Sequence, residues 1–199
     1  MRKLKLQVQM SVDGFIAGPN GEMDWMVWDW DDKIKTYVND LTDSIDTILL
    51  DRKMAGSFIS HWTGVTGDAN NPNVEFSKKM IDTPKIVFSR TLSGSEPATA
   101  QWKNTIITKG KLTEEVQKLK NKNGKDIIVY VGATFDSALV KAGLVDEFYL
   151  FINPATIGVG LSIFSDINNK VNMELEQAIP FDCGIVLLKY LRGHKANSF

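Results

Sequence analysis

Ile127-Ile128-Val129-Tyr130-Val131, running into Gly132-Ala133-Thr134, is the stretch that decides the fold. Five apolar or aromatic residues in succession suit a strand buried on both faces, as in the interior of a parallel sheet. The small residues that follow predict a turn into a helix from Phe135 to Ala142, closed by Gly143. The strand therefore feeds directly into a helix, the step from which α/β domains are built.

The same step recurs upstream. Thr47-Ile48-Leu49-Leu50 reads as a buried strand that turns at Asp51-Arg52-Lys53-Met54-Ala55 into a helix. Gly64 to Pro72 reads as a polar loop. Lys85 to Ser89 and Thr105 to Ile107 read as strands, and Thr113 as the cap of a helix through Val116 and Leu119. At the start, Leu4, Leu6, Val8 and Met10 alternate with Lys5, Gln7 and Gln9, a strand by period. Gly18-Pro19-Asn20-Gly21 marks a loop, and a helix begins near Asp31 with Ile34, Tyr37, Val38 and Leu41 on one face. After Gly143 the pattern changes. Glu147 to Asn153, Val171 to Gln177 and Gly184 to Leu191 read as strands with no helix between them, which predicts antiparallel pairing. The expected architecture is one three-layer α/β/α domain over residues 1–199, its mixed sheet mainly parallel with antiparallel C-terminal strands.

Composition narrows the chemistry. The 199 residues are 43% hydrophobic and 24% charged, with a formal net charge of −1. That is enough apolar material for a sizeable core. It lacks the cationic excess that nucleic acid or an anionic membrane surface would need. Cys183 is the single cysteine, so there is no internal disulfide and no zinc site of paired thiolates. No stretch approaches the roughly 18 apolar residues of a membrane span, and no signal-peptide pattern is present, so a cytoplasmic location is expected.

Familiar catalytic motifs are absent. There is no phosphate loop and no G-x-S-x-G elbow. Gly158-Val159-Gly160 begins like a dinucleotide fingerprint but has Ile163 where the third glycine belongs. His61 and His194 are far apart in sequence, so no metal site is expected. Three strand-to-helix junctions remain: Leu50-Asp51-Arg52-Lys53, Phe88-Ser89-Arg90 and Val131-Gly132-Ala133-Thr134. Ligands of open α/β sheets bind beyond the carboxyl ends of the strands, where helix N-termini favour phosphate. Arg52 and Lys53 at a helix start oppose the helix dipole unless an anion is bound. The three cations either converge on a phosphorylated dinucleotide or are solvated surface charges.

The chain resembles the dihydrofolate reductase-like superfamily, closest to the reductase domain of bacterial riboflavin biosynthesis and its stand-alone relatives. The matching blocks are Met10-Ser11-Val12-Asp13-Gly14-Phe15-Ile16-Ala17 with Trp25, Ile48 to Met54, Val87 to Arg90, Val129 to Ala133 and Gly143 to Glu147. Asn153-Pro154, Gly158-Val159-Gly160 and Phe164 follow. The resemblance implies NADPH binding and hydride transfer to an unsaturated heterocycle. It implies that Ile16 and Ala17 lie by the nicotinamide. Arg52, Lys53 and Met54 would begin the helix that receives a cofactor phosphate, Ser89 and Arg90 would meet the 2′-phosphate, and Gly132, Ala133, Thr134 and Phe135 would pass under the pyrophosphate. The chain departs from the family pattern at Asp51 and Ala133, where glycine is usual. It also has Phe151 where folate-reducing enzymes have threonine, which argues against true dihydrofolate reductase activity.

On the substrate side, Gln7 and Gln9 are either contacts in the cleft or the wet face of a half-exposed strand. Trp25, Trp28 and Trp30 either wall a flat pocket, anchor the core or mark a homodimer patch. Asp31 and Asp32 lie near the position from which folate enzymes present their acid, and a raised pKa would suit proton delivery; otherwise they are exposed acids at a helix start. Tyr37 could line the same pocket. The expected function is an NADPH-dependent reductase of a small pyrimidine- or pterin-like substrate, with a 5-amino-6-(5-phosphoribosylamino)uracil reductase as one form. The alternative is a binding protein that kept the fold and lost the cofactor.

Overall fold

The computed structural model describes residues 1–92, 99, 102–130, 132–168 and 170–193. In chain order the elements are β1 (Leu4–Ser11), α1 (Asp32–Asp43), β2 (Ile45–Asp51), α2 (Arg52–Gly67), α3 (Val74–Asp82), β3 (Lys85–Phe88), β4 (Thr105–Thr108), α4 (Leu112–Lys120), β5 (Asp126–Val129), α5 (Ala133–Lys141), β6 (Glu147–Asn153), β7 (Met173–Pro180) and β8 (Val186–Arg192). They form two compact units. The first is Met1–Arg2 with Asn39–Gly132, and the second is Lys3–Val38 with Ala133 onward.

In the first unit the strand order is β4-β3-β2-β5, parallel throughout. Ile48, Leu49 and Leu50 of β2 and Ile127 and Ile128 of β5 are fully buried. Each such side chain contributes roughly 1.5–3 kcal/mol relative to exposure. Arg2, also buried, pairs with Asp46 and donates to Thr47 Oγ1 at 2.7 Å. In the second unit the order is β1-β6-β8-β7. β1 and β6 are parallel, whereas β6–β8 and β8–β7 are antiparallel. Strand pairing is thus mainly parallel with antiparallel C-terminal strands, as the residue pattern predicts.

Three local expectations are corrected. Gly64 to Pro72 is not all loop, because α2 continues to Gly67. Trp62 there packs edge-on against Phe58 and Phe76, and Thr66 bonds Ser77 at 2.7 Å. These contacts override the weak helix propensity of glycine and threonine. The same packing stabilises α3, which has no clear sequence signature. Thr113 does not cap α4. Lys111 is the capping residue and makes no side-chain bond, so Glu114 and Glu115 in the first turn support that end through the helix dipole. Finally, β5 stops at Val129; Val131 and His194 lie outside the described residues.

Candidate functional site

The first unit brings together the proposed phosphate residues. β2 and β3 are paired with Asp51 opposite Phe88, so Arg52-Lys53 and Ser89-Arg90 follow side by side at the carboxyl ends of adjacent strands. Tyr130 donates its N–H to Leu49 O at 3.1 Å, which brings the approach to Gly132 beside the end of β2. Arg52, Lys53 and Arg90 are exposed, and none forms an ion pair among the described residues. Ser89 is buried, and its Oγ accepts from the N–H of Thr91 and Leu92 at 3.2 and 3.0 Å. The hydroxyl oxygen therefore builds the turn, while its proton remains available to a ligand. Three cations and a hydroxyl around two strand ends fit a phosphate.

Asp51 explains itself locally. It is the N-cap of α2, and its Oδ1 accepts from Met54 N at 2.7 Å. The carboxylate also offsets the unfavourable placement of Arg52 and Lys53 at the positive end of the helix. Its other oxygen faces the Gly132 turn: a Cβ built at Gly132 would meet Asp51 Oδ2 at 4.0 Å and nothing nearer. The turn is therefore open to a ligand's approach but carries a negative charge beside it.

The second unit holds the remaining expected residues. Ala133, the first residue of α5, is buried, so its methyl enters the core. Thr134 is exposed and Phe135 half-buried. Ile16 and Ala17 are fixed by a short bridge to Leu161. Ile16 N donates to Leu161 O, and Leu161 N to Ala17 O, each at 2.8 Å. A side chain at Gly160 would lie 2.3 Å from Ala17 O, so the close approach requires glycine. Asp13 latches the same loop, accepting from Ile157 N at 3.1 Å and Gly158 N at 2.7 Å. Its carboxyl is held below the usual range, first by the Ser11 hydroxyl and then by the Gly158 amide. Gly158-Val159-Gly160 is thus part of a brace for residues 16–17. The resemblance contains both halves of this brace, but sequence spacing alone does not show that they meet.

The substrate candidates separate. Gln9 is paired across the sheet with Phe151, and Gln7 with Tyr149, on one face of β1 and β6. Phe151 is fully buried and stacks on Trp30 at 6.5 Å and on Phe181 at 6.4 Å, with Tyr37 edge-on at 6.3 Å. The position that resemblance compares with a polar threonine is therefore the floor of an aromatic cluster. Tyr37 donates its hydroxyl to Gln177 Oε1 at 3.0 Å, and burial, with the nearby charges of Glu176 and Glu147, pushes its pKa up to about 12. Glu147 is buried beneath. Burial would raise its pKa, but bonds from Lys3 and Tyr149 and the Lys189 charge outweigh that and leave it below its ordinary value. Trp25 stands in the preceding loop and donates to Glu22 O at 3.3 Å; Trp30 is the tryptophan of the cluster, and Trp28 is largely exposed.

Asp31 does not show the raised pKa expected of a proton donor. Its Oδ1 accepts from Ile34 N at 2.9 Å and its Oδ2 from Cys183 N at 3.0 Å. These backbone bonds, Ile34's above all, hold the carboxyl low. Asp31 is a cap that ties α1 to the turn before β8. Asp32 is fully solvent-exposed in the first turn of α1, with Lys35 at 3.9 Å. Among the described residues, no group of three or more His, Cys, Asp or Glu is placed to hold a metal ion, and no helix is long and apolar enough to cross a membrane.

Comparison with known proteins places this architecture. The uncharacterized protein YyaP of Bacillus subtilis (strain 168) is 35% identical over 191 residues, covering 95% of this chain and 94% of its own. A solved structure named for riboflavin biosynthesis, from Shewanella sp. PV-4, superposes with a TM-score of 0.68 at 20% identity, over 98% of this chain and all of the other. Dihydrofolate reductase from Enterococcus faecalis, complexed with NADP(H) and RAB-propyl, matches with a TM-score of 0.56 at 16% identity, over 96% and 97% of the two chains. The fold is dihydrofolate reductase-like. The RibD C-terminal domain matches residues 2–187, and the chain belongs to that family.

Proposed function

We propose that the chain is an NADPH-dependent reductase of a small heterocycle, of the pyrimidine or pterin kind. The observation that carries this reading is the set of unpaired cations, Arg52, Lys53 and Arg90, with the Ser89 hydroxyl, at the ends of two adjacent strands. NADPH, when bound, supplies a hydride. Arg52, Lys53 and Met54 receive a phosphate at the start of α2. Ser89 and Arg90 grip the 2′-phosphate, the arginine through two parallel N–H donors. Gly132, Ala133, Thr134 and Phe135 take the pyrophosphate, and Ile16 and Ala17, braced by Leu161 and Asp13, the nicotinamide. Gln7, Gln9, Trp25 and Tyr37 are assigned to the substrate, joined by Trp30. With Asp31 committed to capping α1, the proton is assigned to solvent rather than to a carboxylic acid. The names of the structural neighbours, riboflavin biosynthesis and dihydrofolate reductase, support the same class. A cytoplasmic location is proposed with this reading. A homodimer is proposed with it, and the exposed apolar side chains of Trp28 and Leu175 support that part.

Titration with NADPH, followed by energy transfer from the tryptophans, tests the reading. Saturable binding below millimolar cofactor is expected, tighter for NADPH than for NADH. Arg90→Ala should weaken NADPH roughly 10- to 100-fold, the worth of a charge-assisted contact, and leave NADH nearly unchanged. Absence of saturable binding would favour the alternative of a binding protein without cofactor, for which the Asp51 carboxylate beside Gly132 is the motivating observation.

A further inference from the structure

Gln9 carries the one buried side-chain nitrogen with no hydrogen-bond partner among the described residues, its Nε2. The orientation of this amide is determined by its neighbours. Val27 donates its N–H to Asn153 Oδ1 at 2.8 Å, so Asn153 must present Nδ2 on its other side. That Nδ2 donates to Gln9 Oε1 at 2.7 Å and to Phe151 O at 3.2 Å. Exchanging the oxygen and nitrogen of Gln9 would set two donors against each other, so the unpaired end is the N–H end. Asn153 is fully buried, which makes this a rigid mount. A buried donor left without an acceptor is costly, and a ligand that brings an acceptor removes that cost. Gln9 is in register with Phe151 of β6, and Trp30 stacks on Phe151 with its own Nε1 donating to Val27 O at 2.9 Å.

We infer that Gln9 Nε2 is the specificity-determining donor of the substrate site, and that the substrate is a flat ring presenting a carbonyl oxygen to it. The inference rests on the substrate side of the reductase reading and deepens it. Stacking on the rings of Trp30 or Tyr37 would favour a planar ring with little regard to its substituents. An amide N–H distinguishes among such rings: it rewards an acceptor and rejects a ring that offers only N–H or C–H at that edge. A site that hydrogen-bonds its ligand discriminates strongly, because the wrong ligand leaves the donor unpaired.

The test compares 2-oxindole, which has a ring carbonyl, with indole, which has none, by calorimetric titration of the full chain with and without saturating NADPH. Wild type should bind 2-oxindole about tenfold more tightly than indole. Gln9→Leu should abolish that preference while keeping or improving indole binding. Asn153→Asp keeps the acceptor for Val27 N–H but gives Gln9 Nε2 a partner. It should lose the preference too, without emptying the site. A wild type that binds neither ring, or prefers indole, overturns the inference; so does a preference that survives both variants. Failure of the reductase reading is read separately, from the absence of saturable NADPH binding in wild type.

Discussion

Asp51 decides how two demands on one position are reconciled. As an N-cap it stabilises α2, and as a carboxylate near Gly132 it opposes an incoming phosphate. Asn caps as well as Asp, so the two effects can be separated. Asp51→Asn keeps the cap and loses only the charge, so it should lower stability by about 0.5 kcal/mol and tighten NADPH several-fold at low salt. Asp51→Ala should instead lose about 1 kcal/mol in a denaturant titration, the ordinary value of a cap. The same reasoning clarifies what residue chemistry revealed beforehand. Cations at a helix start marked the junction of β2 with α2, because charge against a dipole is a local property. That Asp31 accepts from Cys183 N as well as capping α1 depends on a partner about 150 positions away. No local pattern contains that information.

At the scale of elements, the legible parts were those with strong periodicity or burial on both faces. β1, β2, β5 and β6 follow from their side chains, because alternation and apolar runs are direct consequences of what each face touches. α3 was not legible, because its stability comes from packing against α2 and from its C-terminus. There Lys85, buried at the start of β3, donates its ammonium to Ile81 O and Thr83 O, both at 2.7 Å. Burial lowers the Lys85 pKa to about 8, with Asp82 opposing the shift. In the unfolded chain the pKa is near 10.5. The folded state therefore gives up its proton first, and stability from this group is full above about pH 10.5 and lost as pH falls through about 8. Compared with Lys85→Met, the wild type should gain stability as pH rises from 8 to 10.5. Urea midpoints measured across that window check the sign; a wild type that loses stability relative to the variant as pH rises would refute it.

For the whole molecule, the arrangement of the chain in its two units matters more than the content of either. Apart from Arg2 and its immediate neighbour, the first unit is continuous from Asn39 to Gly132, whereas the second is assembled from the two ends of the chain. Gln9 and Asn153, bonded partners, are 144 positions apart. Closing so long a loop is entropically costly and slow relative to the shorter closures within residues 39–132. Pulsed hydrogen exchange during refolding should therefore find β2, β3 and β5 amides protected before those of β1 and β6. Simultaneous protection of both sets would show that the units fold as one.

The early position of β1 also has a consequence during synthesis. At about 5–20 residues per second, β1 leaves the ribosome roughly 7–30 s before its parallel partner β6 exists. An alternating apolar strand left unpaired for that time is an aggregation hazard. Lys3 and Lys5, and the two glutamines between the apolar positions, interrupt it with charge and amide. The side chain assigned to recognise a carbonyl in the finished protein also keeps the newborn strand from associating with the wrong partner.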